Sequence, residues 1–288
     1  MTTKERQVDS VFEKKFRWRM RSMLDSSGGS SDPILTVDKV AKSFGGVQAV
    51  KEVSLQVERG SIFSIIGPNG AGKTSLVNMI SGFYKADQGS IKFDGTELIG
   101  RSPSGIAELG IARTFQNIAL FRGLTVLDNL MLGRHVRMKS SVMSCFMWWG
   151  AAQKEEIHHR KRAEEIIDFL RISDLRRANT GELAYGLQKR VELGRALALD
   201  PTLLLLDEPM AGMNTEEKED MVRYVLDVNA EFGTTIILIE HDMGVVMDIS
   251  DHIVVLDQGE KISDGTPDQV KADPAVIRAY LGASHLQG

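Results

Sequence analysis

The apolar run Ser61–Ile66 leads straight into Gly67-Pro68-Asn69-Gly70-Ala71-Gly72-Lys73-Thr74, and a helical pattern continues from Thr74 to Ser81. No other stretch limits the fold as tightly. The octapeptide fits G-x-x-x-x-G-K-[ST], and chemistry explains the spacing. Glycines let the main chain wrap closely around an anion with several N–H groups aimed inward. A helix that begins behind Gly72 turns its positive end toward the same anion. Lys73 adds a positive charge for the outer phosphates of a nucleotide, and Thr74 adds a hydroxyl for Mg2+. Arrival from a strand and departure into a helix is the setting this loop requires. Gly67, Pro68, Asn69, Gly70, Ala71, Gly72, Lys73, Thr74 and Ser75 are therefore the candidate nucleotide-binding residues.

Buried strands recur downstream. Leu203–Leu206 is four consecutive leucines bounded by Asp200-Pro201 and Asp207. Thr234–Ile239 and Ile253–Leu256 are two more such runs, and Lys261–Ser263 reads as a short hairpin partner. Unbroken apolar runs suit parallel strands covered on both faces, and their alternation with helices points to an α/β parallel sheet. Ile34–Val40, Val50–Val57 and Ser90–Phe93 read as further strands, the last followed by the turn Asp94-Gly95. Residues 104–195 read as mostly helical, most clearly over Glu155–Leu170, where Ile157, Ile166, Ile167 and Leu170 recur among charges. The stretch between Gln116 and Arg195 interrupts the alternation and reads as an inserted lobe. The leucine run ends in Asp207-Glu208-Pro209. Ligands of open α/β sheets bind at the C-terminal strand ends. There Asp207 can hold Mg2+, while Glu208 points elsewhere and can orient an attacking water.

Composition closes off other classes. Apolar residues make up 42% and charged residues 26% of the 288, the balance of a globular protein and not of a disordered or collagenous one. The longest uncharged stretch, Ser140 to Gln153, includes three serines and is too short and polar to span a bilayer. Met1 to Arg21 is charged throughout and lacks the apolar core of a secretory signal. The single cysteine, Cys145, has no internal disulfide partner, and a reducing cytoplasm is the default location. Residues 1–24 hold seven Lys and Arg against three acids, which leaves the rest of the chain acidic and argues against a general nucleic-acid binder. Ser26–Pro33 reads as a flexible linker. Residues 1–33 are thus read as a basic extension, and 34–288 as the domain. Val11, Phe12, Lys15, Phe16 and Arg19 recur at helical spacing beside Trp18, so the extension is either an amphipathic helix for anionic lipid or a solvated terminus.

Taken together, these motifs resemble the ATP-binding cassette ATPases of ABC transporters, from about Ile34 to the C-terminus. Arg113-Thr114-Phe115-Gln116-Asn117 resembles the family's Q-loop. Leu183-Ala184-Tyr185-Gly186-Leu187-Gln188-Lys189-Arg190 stands where the signature L-S-G-G-Q belongs. Ala211-Gly212-Met213-Asn214 fills the D-loop, and Glu240-His241-Asp242 resembles the H-loop. Phe44 stands where the family places an aromatic under the adenine ring. The resemblance implies an α/β P-loop NTPase fold with a RecA-like parallel-sheet core, an antiparallel β subdomain and a helical lobe at about 117–195. Two departures stand out: Ala184 and Tyr185 replace the signature serine and first glycine, and Asn214 replaces the aspartate common in the D-loop. Leu187, Val191, Gly194 and Ala198 share one helix face that suits docking on a core. The L-[AS]-Y-G signature, the Asn D-loop, Phe44-Gly45-Gly46-Val47-Gln48-Ala49 and Ile277-Arg278-Ala279-Tyr280-Leu281-Gly282 resemble the branched-chain amino acid uptake branch, whose near relatives handle urea and other amino or carboxylic acids.

The resemblance implies a mechanism. Two cassettes pack head to tail, with ATP between one phosphate loop and the partner's signature, here Ala184, Tyr185 and Gly186. Lys73 holds the β- and γ-phosphates; Thr74, Asp207 and Gln116 attend Mg2+; Glu208 activates water; His241 contacts the γ-phosphate. The implied setting is the cytoplasmic face of the inner membrane, beneath two permease subunits and, indirectly, a solute-binding protein. The second cassette is either an identical chain or a paralogue, with a paralogue favoured by the branch. Met143, Phe146, Met147, Trp148 and Trp149 form an apolar patch that is either partner-facing or internally packed. A soluble cassette acting on ribosomes or DNA would carry tandem cassettes or a long coiled coil, and neither is present. A nucleotide-gated regulatory cassette without hydrolysis stays open because Ala184 cannot donate a hydrogen bond.

Overall fold

A computed structural model describes residues 32–116, 118–137 and 151–284. The expectations for the basic extension and for the Met143–Trp149 patch lie outside those residues. Two sheets carry the architecture. The first is antiparallel, in the order β2-β1-β4-β5, from β1 (Leu35–Phe44), β2 (Val47–Val57), β4 (Gln88–Phe93) and β5 (Thr96–Glu97). The second has the order β10-β9-β3-β8-β7-β6, from β3 (Ile62–Ile66), β6 (Ile111–Arg113), β7 (Leu203–Asp207), β8 (Thr235–Ile239), β9 (His252–Asp257) and β10 (Glu260–Gly265). In it β9, β3, β8, β7 and β6 run parallel, and β10 returns antiparallel as the edge. The parallel core read from the sequence is thus present, with Lys261–Ser263 inside β10.

The leucine run shows why this sheet needs no polar positions. Leu203 and Leu205 face one apolar cluster, while Leu204 and Leu206 face another. Side chains alternate along a strand, so a strand covered on both faces is apolar throughout. Ile237 and Ile239 divide from Ile236 and Leu238 in the same way. The first face is covered by the antiparallel sheet and by α1 (Lys73–Ile80), through Leu76, Val77, Met79 and Ile80. The second is covered by α3 (Val126–Arg134), α4 (Ala151–Phe169), α5 (Tyr185–Leu197) and α6 (Thr215–Phe232). Burying each leucine contributes roughly 2 kcal/mol. A third cluster joins Ile66, Ile253 and Val255 to α7 (Met243–Ile249), α8 (Pro267–Ala272) and α9 (Pro274–Ser284).

Two expectations need correction. Residues 104–195 are not helical from the start: α2 (Pro103–Glu108) is followed by the strand β6, which adds to β7 through the pair Ala112 and Leu204. Three residues carry too little periodicity to be read as a strand, and tertiary pairing decides the matter. The first two strands also run past Val40 and begin before Val50, to a tight hairpin in which Phe44 pairs with Val47. Gly45 and Gly46 both take positive φ, the geometry of a two-residue turn that follows the strand twist.

One buried arginine ties the helices together. Arg134, 3% exposed, donates to His159 Nδ1 from Nε at 3.1 Å and to the Ala198 carbonyl at 2.7 Å, and it pairs with Asp200. Because the imidazole accepts at Nδ1, it must be unprotonated there. Burial first, and then the Arg134 charge, hold the His159 pKa below the ordinary 6.5. A base with a depressed folded pKa binds fewer protons folded than unfolded, so its stability contribution is present above 6.5 and is lost as pH falls below it. The urea midpoint should therefore be lower at about pH 5.5 than at about 7.5, and His159→Gln should flatten that slope. Arg134→Met should cost about 2 kcal/mol at neutral pH by orphaning the Ala198 carbonyl. Urea titrations of the three proteins at both pH values check this.

Candidate functional site

The parallel strands all end along one edge, and the loops that leave this edge hold most of the candidates. β3 runs into the phosphate loop. Gly67 has φ +147, and a Cβ there would run into the Leu256 carbonyl oxygen at the neighbouring end of β9. Only glycine lets the loop leave the strand this way. Ala71 is buried, and its carbonyl accepts from Gly259 N at 3.1 Å. α1 begins after Gly72 with no side-chain cap, so its first N–H groups remain available to an anion. Lys73, 6% exposed, donates to the carbonyls of Gly67 at 2.7 Å and Pro68 at 2.9 Å. Burial lowers its pKa from the usual 10.5, against the opposing pull of Glu208 and Asp207. Pro68 and Asn69 form the loop's outer turn, Gly70 its exposed tip, and Thr74 and Ser75 the first turn of α1.

β7 delivers Asp207, 2% exposed. Its Oδ2 accepts from Arg113 Nη2 at 2.8 Å, while its Oδ1 is buried without a partner. A carboxylate oxygen left free in this way suits a divalent ion. Glu208 follows at φ +50, outside the strand, with its N–H on the Ile239 carbonyl. Its two oxygens are both engaged: Gln116 Nε2 donates to Oε2 at 3.0 Å, and His241 Nε2 donates to Oε1 at 2.7 Å. Three candidates from three loops thus meet at one carboxylate. The H-loop is fixed by Glu240, 5% exposed, which accepts from Met210 N at 2.9 Å and from His241 N at 3.0 Å.

Other candidates stand apart. Ala184 is the N-cap of α5 and makes no side-chain cap bond. Tyr185 lies beside Gly212 of the D-loop, and a Cβ on Gly186 would strike the Glu217 carboxylate. Ala184, Tyr185 and Gly186 therefore pack toward the D-loop and α6 rather than onto this chain's own phosphate loop. Val191, Gly194 and Ala198 are buried as their spacing requires, and Leu187 is half-buried. Asn214 caps α6 through a capping box with Glu217. Phe44 sits at the tip of the β1–β2 hairpin, 41% exposed, with its ring edge-on to Tyr84 at 5.1 Å and Lys42 Nζ 5.4 Å above it. It is free to take a stacked ring rather than being a core aromatic.

Several site residues were not singled out by sequence reasoning. Lys189 and Glu192 are buried on α5 and 3.7 Å apart. Lys189 Nζ donates to the Gln116 carbonyl at 3.1 Å, and Glu192 accepts from Phe115 N and Ala119 N. Desolvation raises the Glu192 pKa, with Lys189 opposing. These two charges fix the loop that carries Gln116, and their only trace in the sequence is charge at helical spacing with Leu193 and Ala196. Tyr280, on α9, packs in the cluster with Ile66, next to the loop's first glycine, and burial pushes its hydroxyl up to about 12.

The ABC transporter family model matches residues 50–211, and that of the branched-chain amino acid ATP-binding cassette transporter matches residues 260–285. The chain is 40% identical over 252 residues to the high-affinity branched-chain amino acid transport ATP-binding protein BraF of Pseudomonas aeruginosa, covering 88% of this chain and 99% of that one. It is 39% identical to LivG of Escherichia coli at the same coverage. Among solved structures, the ADP conformation of an ATP-binding cassette of an ABC transporter matches with a TM-score of 0.76 at 35% identity, covering 88% and 100% of the two chains. A nucleotide-free cassette matches at 0.75 and 34%, covering 86% and 99%.

The tightest steric demand in the loop is at Gly67. Gly67→Ala should destabilise the protein by about 3 kcal/mol, through strained φ and the backbone collision, and should lower the melting temperature in a calorimetric scan.

Proposed function

The chain belongs to the ATP-binding cassette family of ABC transporters, and from that premise we propose that it is the ATP-hydrolysing subunit of an importer for branched-chain amino acids, driving separate permease subunits. The solute class is supported by identity near 40% along nearly the whole length of BraF and LivG, and by the second family match at residues 260–285. The observation that carries the hydrolytic reading is the meeting of Gln116, Glu208 and His241 beside the phosphate loop.

The geometry supports a division of labour. Loop amides and Lys73 hold the β- and γ-phosphates, Lys73 exchanging the Gly67 and Pro68 carbonyls for phosphate oxygens. The unpartnered Asp207 Oδ1, the Thr74 hydroxyl and Gln116 are the groups that would hold Mg2+, which neutralises phosphate charge when bound. Glu208, oriented by its contacts with Gln116 and His241 before the nucleotide is bound, accepts the proton of an attacking water. The water oxygen bonds to the γ-phosphorus, and the bond from that phosphorus to the bridging oxygen breaks, releasing ADP and phosphate. The His241 Nε2–H, exchanging Glu208 Oε1 for a γ-phosphate oxygen, donates toward the charge that develops. Phe44 offers a face to the adenine ring.

The signature of a second cassette completes the site. Ala184 supplies no hydroxyl, so the contact from α5 falls to the backbone N–H groups of Tyr185, Gly186 and Leu187 at an uncapped helix start. Among the described residues no helix is long and apolar enough to cross a membrane. The proposed setting is peripheral, on the cytoplasmic face of the inner membrane, paired with a paralogous cassette, beneath two permeases that receive solute from a binding protein.

Glu208→Gln should lower ATP turnover at least a hundredfold while leaving ATP binding intact, and should trap a dimer on size exclusion with ATP. A wild-type chain that binds ATP but does not hydrolyse it, alone or with its co-purified cassette and permeases, would make it a nucleotide-gated module instead.

A further inference from the structure

Arg113 is the last residue of β6, opposite Leu205, and its side chain is 8% exposed. Nη2 donates to Asp207 Oδ2 at 2.8 Å. Nη1 donates to Asn78 Oδ1 at 2.6 Å and to Ser81 Oγ at 2.8 Å, at the far end of the phosphate-loop helix. The central carbon of the guanidinium lies 5.7 and 5.2 Å from the centroids of Phe83 and Phe115, whose rings also meet each other edge to face at 5.6 Å. Phe115 directly precedes Gln116. One side chain therefore clamps the phosphate-loop helix, the carboxylate at the end of β7 and the root of the Gln116 loop.

A pair buried this deeply is an expensive way to gain stability, since apolar residues of similar volume often serve as well. Its geometry suggests another use. Of the three buried side-chain atoms without a partner among the described residues, two, Arg113 Nε and Asp207 Oδ1, belong to this pair, and the third, Thr114 Oγ1, is on the next residue of the chain. Such atoms are uncommon and call for a reason. The guanidinium occupies one carboxylate oxygen and leaves the other free. A fork held by an amide, a hydroxyl and two rings cannot rotate to take both.

We propose that Arg113 is a positioning residue for the metal-dependent step: it fixes the Asp207 carboxylate so that Oδ1 alone is offered to the nucleotide-bound divalent ion, and it links that oxygen to the loop carrying Gln116. This rests on the reading of Asp207 as a metal-facing group. The guanidinium repels a second positive charge, and the fixed aim of Oδ1 outweighs that repulsion, so the net effect of Arg113 is tighter binding of the ion. Lysine would keep a charge for Asp207 but not the fork that reaches Asn78 and Ser81.

The test is equilibrium binding of a fluorescent ATP analogue with and without Mg2+, together with Mn2+ binding followed by electron paramagnetic resonance, on wild type, Arg113→Lys, Arg113→Met and the double variant Asn78→Ala/Ser81→Ala. Metal-free nucleotide affinity should stay within about twofold in every variant. The gain in affinity on adding Mg2+ should fall at least tenfold in Arg113→Met and in Arg113→Lys, and severalfold in the double variant, which leaves Asp207 paired. The Mn2+ spectrum of the nucleotide complex should broaden in the same order. A purely structural role would lower the melting temperature and leave the Mg2+ gain unchanged. That result, in any variant that folds, overturns the proposal. If Arg113→Met does not fold, Arg113→Lys and the double variant decide. A wild-type protein with no Mg2+ gain at all would instead remove the metal-facing reading of Asp207, and the proposal with it.

Discussion

The hydrogen-bonded register of three parallel strands governs this site. β3 pairs with β8, and β8 with β7, so the phosphate loop, the His241 loop and the Asp207-Glu208 pair leave the sheet side by side. β6 adds the loop of Gln116 on the far side of β7. Slipping one strand by a residue would exchange its two faces, sending Leu204 and Leu206 to the wrong cluster and displacing its carboxylates. The apolar alternation that stabilises the sheet is thus also what holds the chemical groups in line.

Negative charge is concentrated at that edge, and the chain manages it by pairing. Asp207 faces a guanidinium, Glu208 accepts from an amide and an imidazole, and Glu240 is spent on backbone N–H groups. Glu192 sits behind the Gln116 loop with Lys189 beside it. Each acid is oriented by a partner from a different element, so the carboxylates are fixed before any ligand arrives. Preorganisation of this sort avoids the cost of aligning groups during the reaction.

How much of this was legible in the sequence depended on how local each signal was. The phosphate loop, the leucine strand and the Asp207-Glu208 pair are contiguous, and their residue types state their chemistry. The long strands of the β1–β2 hairpin were underestimated because Lys42, Ser43 and Gln48 blur the alternation where the strands pair only with each other. The three residues of β6 have no signature of their own, and β7 makes them a strand. α6 is marked by its capping box, Asn214 with Glu217, and by Met221, Tyr224, Val225 and Val228 at helical spacing. Arg113, Lys189 and Glu192 act across tens of residues of sequence, so nothing nearby in the chain marks their partners. Gln116, His241 and Glu208 were identified through a resemblance, yet only the fold shows that they share one carboxylate.

Glu208 is gripped from both sides by loops that belong to different parts of the molecule: Gln116 follows β6 and is braced by α5, while His241 follows β8 and precedes α7. Each loop holds one of the carboxylate's two oxygens. Its orientation is therefore set jointly by two segments that lie far apart in the chain. A change in the backbone of either segment would be felt at the same carboxylate, so two distant stretches of sequence are answerable to one another through a single side chain.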